Sequence, residues 1–197
     1  MTGSTLNMHY TIADPKTFGI SEYEPVLPIY HSGQPEDSKE HCSDLLHRLD
    51  RIDPDRLSPE NAYTYRLLHR SLENDLALAD FPYYNEPLSP SSGMQSQLPV
   101  LLAEYTFRTK RDVTDYLALL DQIDDYFSSL LLYEQEKAAA GFFMPACSSE
   151  KVRKQCDTIV TTEELAQGTH FLQTTFEDRL SELQKQGLFT PKETASL

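Results

Sequence analysis

The stretch from Thr109 to Ala140 constrains the fold of this chain more than any other. Val113, Tyr116, Leu117, Leu120, Ile123, Phe127, Leu130 and Leu131 recur at spacings of three and four, the period of one helix face. Thr109 with Asp112 three residues on reads as an N-cap, and Gly141 as the stop. At 1.5 Å per residue such a helix is about 45 Å long. A compact globule of this length has a diameter of roughly 42 Å. The helix would therefore span the molecule. Either the body is elongated, or the chain is part of something larger.

The flanks divide into an arm and a body. Residues 1–35 carry Pro15, Pro25, Pro28 and Pro35 among Phe18, Ile20, Tyr23, Val26, Leu27, Ile29 and Tyr30. Proline at that density breaks helices, and so much apolar surface does not suit a free tail. The expectation is an extended arm packed on a helical domain over residues 36–197. From Asp37 the pattern turns helical, with Leu45, Leu46, Leu49 and Ile52 on one face. Asp53-Pro54 ends that helix. Ser58 then caps the next one, with Pro59 at its first position. Ala62, Tyr65, Leu68, Leu72, Leu76 and Ala79 continue the stripe, so the two helices form an antiparallel hairpin. Residues 81–99 read as loop, and Leu98 to Ala103 is ambiguous between strand and helix. Further helices are predicted from Ser148 or Ser149, with Val152, Cys156 and Ile159 on one face. A capped turn follows at Thr161, and a last helix runs from Thr174 or Thr175 to Gly187. The fold class is all-α: a multi-helix bundle with an extended, Pro- and Tyr-rich N-terminal arm and one long central helix.

Composition narrows the partners. Seventeen basic against 31 acidic residues give a net charge of −14. Nucleic acid and anionic membrane both need a basic face, so neither is expected as a partner. Twenty aromatic residues, 11 Tyr and 9 Phe, are too many for a disordered acidic tail. No apolar run reaches the length of a membrane-spanning helix. Met1 to Tyr10 lacks the basic-then-apolar order of a signal peptide.

Chemistry-bearing motifs are sparse. Cys42, Cys147 and Cys156 have no CxxC spacing, which excludes a four-cysteine zinc site and a disulfide scaffold. Buried free thiols are expected, since a Cys147–Cys156 bridge would need the intervening chain to fold back. His9, His31, His41, His47, His69 and His170 form no HExxH and no i, i+4 pair on a predicted helix. They are expected at the surface or hydrogen-bonded. Neither a nucleophile elbow nor a phosphate loop is present, and Ser92-Gly93 lacks the elbow flanks. Asp124-Asp125 and Glu134/Glu136 read as a solvated helix face. Glu104 and Arg108 lie four apart and could form an ion pair or face a cleft.

The C-terminal end has its own signal. Thr190-Pro191-Lys192-Glu193 has the form of a helix start, yet the chain stops at Leu197, barely one turn later. A helix that short has no stability of its own. The expectation is a chain cut from a longer protein.

One segment carries a wider resemblance. It runs from Pro87-Leu88-Ser89-Pro90-Ser91-Ser92-Gly93-Met94-Gln95-Ser96-Gln97-Leu98-Pro99 through Val100 to Arg108. It continues in Asp112-Val113, Tyr116 to Leu120, Tyr126-Phe127, Glu134 to Lys137 and Gly141-Phe142-Phe143-Met144-Pro145. Upstream, His9 to Pro15 and Phe18-Gly19-Ile20 fit the same pattern. The chain resembles the N-terminal part of the bacterial family called domain of unknown function 885. That resemblance implies helical zinc metallopeptidases, distantly similar to the angiotensin-converting-enzyme and oligopeptidase type. Their zinc motif, an HExxH-like stretch with further histidines, lies in the C-terminal half of a much longer chain. Many members are exported or lipid-anchored. No position here matches the zinc motif, so no ligand and no general base can be assigned.

Together these readings give an expected function. The chain would be a non-catalytic portion of a zinc-dependent peptidase, inactive alone, forming a wall or lid of a substrate channel. Its partners would be the missing C-terminal portion of the same protein and a peptide. Zinc is implied for the parent protein only. The loop from Tyr83 to Gln97 and the Glu104–Arg108 segment would face the channel, with Tyr83, Tyr84, Gly93, Gln95, Gln97, Glu104 and Arg108 contacting substrate; the alternative is that the loop only packs the N-terminal arm. Glycine admits close backbone approach, and Tyr and Gln can hydrogen-bond a peptide. A truncated chain should also expose apolar surface and self-associate. The rival from another class is a stand-alone helical interaction module with no enzymatic activity.

Overall fold

The structure, a computed structural model, describes residues 5–30, 34–190 and 193. All regular structure among them is helical: α1 (Thr5–Thr11), α2 (Gln34–Leu49), α3 (Pro59–Leu78), α4 (Met94–Glu104), α5 (Lys110–Asp121), α6 (Ile123–Ala139), α7 (Ala146–Ile159), α8 (Thr162–Gln167) and α9 (Phe171–Lys185). Single 3-10 turns occur at Pro15–Phe18, Pro54–Arg56 and Pro82–Tyr84. No described helix is long and apolar enough to cross a membrane. The described residues fall into two units. The first holds 5–29, 86–130, 143–190 and 193, and the second holds 30, 34–85 and 131–142.

In the first unit, α4 packs on α7 and α9. Leu98 and Leu102 of α4, Val113, Tyr116 and Leu119 of α5, and Leu180 and Leu183 of α9 are buried together with Tyr105. Burial of this kind is the main favourable term in folding. Leu98 to Ala103, ambiguous in the sequence, is helical, and it carries Pro99 within α4. The chain start differs from the extended arm expected over 1–35. Its described residues open on helix α1, which buries Leu6 and Met8, and Ile12 just past the helix end is buried as well. Residues 31–33, at the arm's end, lie outside the described set.

After the 3-10 turn at Pro15–Phe18 the described arm, residues 20–30, has no regular structure and is tied to α5 and to Gln122 just past it by polar bonds. The Tyr23 hydroxyl donates to Asp115 Oδ2 at 3.0 Å. Arg111 stacks on the Tyr23 ring at 4.0 Å and donates to the Tyr23 carbonyl at 2.6 Å. Gln122 accepts from the Leu27 N–H at 2.9 Å and donates to the Pro25 carbonyl at 2.8 Å. Leu27 is buried, while Phe18 is exposed.

Gln122 also corrects the single helix expected over 109–140, which is two helices, α5 and α6. The Gln122 side chain donates to the Ala118 carbonyl at 2.8 Å, the group its own N–H would bond in a continuing helix. That N–H goes to Leu119 at 3.2 Å, tightening the turn. The break shifts the phase of the buried face. Tyr126, Leu130 and Lys137 of α6 are buried, while Leu131 of the predicted stripe is exposed. The start signal at Thr109 holds as expected, with a reciprocal capping box between Thr109 and Asp112. Thr161 caps α8, and Gly141 stops α6 at φ +87°.

Three smaller expectations shift. Helix α7 begins at Ala146, two residues before Ser148, and its inward face uses Val152 and Gln155 rather than Cys156, which is exposed. Helix α9 starts at Phe171, because buried His170 caps it. Its Nδ1 accepts from the Leu172 N–H at 3.3 Å, and its Nε2 bonds the Ile159 carbonyl at 2.9 Å. Only Cys42 of the three free thiols is buried. Cys147 and Cys156 sit nine residues apart on one helix, about 13 Å in rise, beyond disulfide reach.

The second unit is built on the α2–α3 hairpin. Ser58 caps α3 through the Asn61 N–H, with Pro59 at the first position, as expected. The inward positions of α3 are 62, 65, 69, 72, 76 and 79, an alternating three-four seam. His69 therefore takes the place the sequence reading gave to Leu68, which is exposed. His69 Nε2 lies 3.2 Å from Asp50, a carboxylate that an apolar Leu at that position could not bond. Ile52, expected on the stripe of α2, is exposed beyond the helix end.

Candidate functional site

The second unit carries a groove of about 910 Å³. The chain builds it by pinning the short turn Pro82–Tyr84 to the end of α6. The Tyr133 hydroxyl bonds the Pro82 carbonyl at 2.7 Å and the Asn85 carbonyl at 3.2 Å. Buried Lys137 adds a bond to the Asn85 carbonyl at 3.3 Å and lies 3.8 Å from Glu134. Backbone carbonyls that would otherwise turn to water are thus fixed by two side chains one helical turn apart.

Pinning the turn lines up aromatic rings. Tyr30 and Tyr133 lie 5.3 Å apart between centroids, Tyr133 and Tyr83 6.1 Å, Tyr83 and Phe142 5.9 Å, Phe142 and Tyr84 5.4 Å, and Tyr84 and Phe81 5.6 Å. Six rings therefore touch in one continuous run at favourable aromatic spacing. Its outer end is open: Tyr84 is 72% exposed and Phe81 54%. Buried Cys42 also lines the groove. Glu36, Asp75, Asp80 and Glu136 bring four carboxylates to the groove, against one lysine, Lys39.

Of the expected site residues, Tyr83 and Tyr84 belong to this groove. Gly93, Gln95, Gln97, Glu104 and Arg108 belong to the first unit. There Gly93 and Gln95 hold their own loop together. Gln95 is buried and donates to the Ser89 carbonyl at 2.7 Å and to Gln155 at 2.9 Å, while Gln155 donates to the Pro90 carbonyl at 2.9 Å. A Cβ on Gly93 would stand 2.3 Å from the Ser89 nitrogen. The close approach that glycine permits is therefore to its own backbone. Gln97 is exposed. Glu104 ends α4 and Arg108 follows in extended chain, so the two are not one helical turn apart and form no ion pair.

The first unit also contains a buried polar cluster that the sequence did not signal. His9 stacks on Tyr105 at 3.7 Å and 9°, and its Nδ1 lies 3.8 Å from Asp112. Burial pushes the His9 imidazole below its ordinary value, against the pull of Asp112. Burial likewise raises the Tyr105 phenol, helped by Asp115 and Asp112. His9 Nε2 and the Tyr105 hydroxyl are buried with no hydrogen-bond partner among the described residues. His9 and Tyr105 are closed off from solvent, whereas Tyr30, Tyr133, Tyr83, Tyr84 and Phe81 line an open groove. The groove is the better candidate for binding. Tyr30, Tyr133 and Phe142 escaped the sequence reading because they lie far from Tyr83 in the chain; only the tyrosine content pointed toward such a site.

Residues 16–195 match the model of the family described as bacterial protein of unknown function (DUF885), and the chain belongs to that family. No curated protein and no solved structure matches it.

Proposed function

We propose that this chain is the N-terminal, non-catalytic helical portion of a zinc-dependent peptidase, and that its groove holds part of an extended peptide. The observation that carries the reading is the six-ring run from Tyr30 to Phe81 on a turn pinned by Tyr133 and Lys137. Aromatic faces on a fixed backbone are suited to an extended peptide, because they bury side chains at little entropic cost. The peptidase class comes from the family resemblance. Among the described residues no group of three His, Cys, Asp or Glu side chains could hold a metal ion. The zinc-binding residues would belong to the remaining, C-terminal portion of the same protein, and no hydrolytic step is assigned to residues of this chain.

Fluorogenic peptides offered to this chain with added zinc test the first half of the proposal. No turnover is expected, and zinc-dependent turnover would overturn it. Calorimetric titration with unstructured peptides tests the second half. Binding that is lost in Tyr84→Ala is expected, and failure of every peptide to bind would sink the peptide-holding role.

A further inference from the structure

Resting on that peptide-holding reading, we propose that the groove selects a basic residue, the side chain of a lysine or arginine within the bound peptide. Two features of the same concavity point to a cation. The first is the ring run, whose π faces carry the negative side of the aromatic quadrupole and attract ammonium and guanidinium groups. The outermost rings, Tyr84 and Phe81, are the most open to an incoming side chain.

The second feature is unbalanced charge. Lys39 Nζ sits 2.5 Å from Asp80, so the one cation of the groove is already matched. Asp75 and Glu136 line the same groove and make no ion pair among the described residues, and Glu36 adds a third carboxylate toward Lys39. A basic side chain could set its charge near a carboxylate and its flat or aliphatic part on the rings. A norleucine side chain would gain the rings alone. A glutamate or phosphate would be repelled by every unmatched carboxylate. A metal ion is the wrong cation, because among the described residues no group of three His, Cys, Asp or Glu side chains converges to hold one. At about 910 Å³ the groove has room for peptide backbone beside the selected side chain.

The test uses the chain as it stands and blocked alanine peptides carrying one arginine, lysine, norleucine or glutamate. The protein has no tryptophan, so tyrosine emission follows binding directly, and calorimetry gives affinities. Arginine and lysine peptides are expected to bind about tenfold or more tighter than the norleucine peptide, with glutamate weakest and the gap shrinking as salt is raised. Asp75→Asn with Glu136→Gln is expected to erase the gap between the basic and norleucine peptides without altering the helical circular dichroism. Tyr84→Ala should weaken the basic peptides without altering the helical circular dichroism. Equal affinity for arginine and norleucine would overturn charge selection and leave the peptide-holding role standing. Absence of binding by all four peptides would overturn both.

Discussion

The two units make opposite use of their helices. In the first, α4, α5 and α9 bury leucines and tyrosines to 5% exposure or less, and even polar His9 and Asp115 are taken inside. In the second, Cys42 and Lys137 are the sole described residues classed as buried, and α3 has none. Its seam repeats at threes and fours, but the hairpin leaves Tyr63, Leu67 and Leu78 outside. Two helices cannot enclose a core of their own. The unit gives up burial and gains exposed rings, which a well-packed core would hide. Stability is concentrated in one unit and presentable aromatic surface in the other.

That contrast can be broken in graded steps. The largest effect belongs to Leu119→Ala, which empties a fully buried site of the first unit. It should cost about 2–5 kcal/mol in urea denaturation, and a loss near zero would mean that the core is not where the contrast puts it. Gly93→Ala comes next, at about 1–3 kcal/mol, because the new Cβ meets the Ser89 backbone. Tyr133→Phe should cost about 0.5–1.5 kcal/mol by freeing the Pro82 carbonyl and leaving the Asn85 carbonyl to Lys137 alone. Its signature is faster amide exchange confined to residues 81–85, and uniform acceleration would refute a local role. A pH series probes His9. Its folded value lies below the ordinary 6.5, so the unfolded chain takes up the proton first as pH falls. The contribution of neutral His9 is complete above about pH 6.5 and declines below it. Denaturation midpoints should fall from about pH 7.5 to about pH 5, less steeply in His9→Gln, and identical slopes would clear His9 of the effect. The smallest change is expected for Leu67→Ala, within about 0.5 kcal/mol, because that side chain is 53% exposed.

Local signals in the sequence were read well where they close on themselves within a few residues. The Thr109–Asp112 box, the Ser58-Pro59 start and the Thr161 cap all involve partners three or four residues apart. The box at Thr190 and Glu193 forms as well. The Lys110 ammonium and the Thr190 N–H and hydroxyl hold the Glu193 carboxyl down at about 2, while its neighbours Pro191 and Lys192 lie outside the described residues. What escaped were bonds between distant positions. The break at Gln122 depends on Pro25 and Leu27, almost a hundred residues earlier. The choice of His69 over Leu68 depends on Asp50. The groove gathers Tyr30, Tyr83 and Tyr133, with Phe142 against Tyr83 and Tyr84, and periodicity links none of them. Gly93 and Gln95 are expected from the sequence to contact substrate, and in the structure their close contacts are with the Ser89 backbone.

The bond pair at Gln122 has one more consequence. An extended segment normally finds its register beside another strand, which offers it an acceptor and a donor in turn. Here a single carboxamide supplies both, accepting from the Leu27 N–H and donating to the Pro25 carbonyl. One side chain thus acts as a strand of length one. The arm cannot slide by a residue without setting donor against donor. Position 122 therefore has a narrow alphabet: glutamate keeps the shape of glutamine but loses the donor, and asparagine keeps the chemistry but loses the reach.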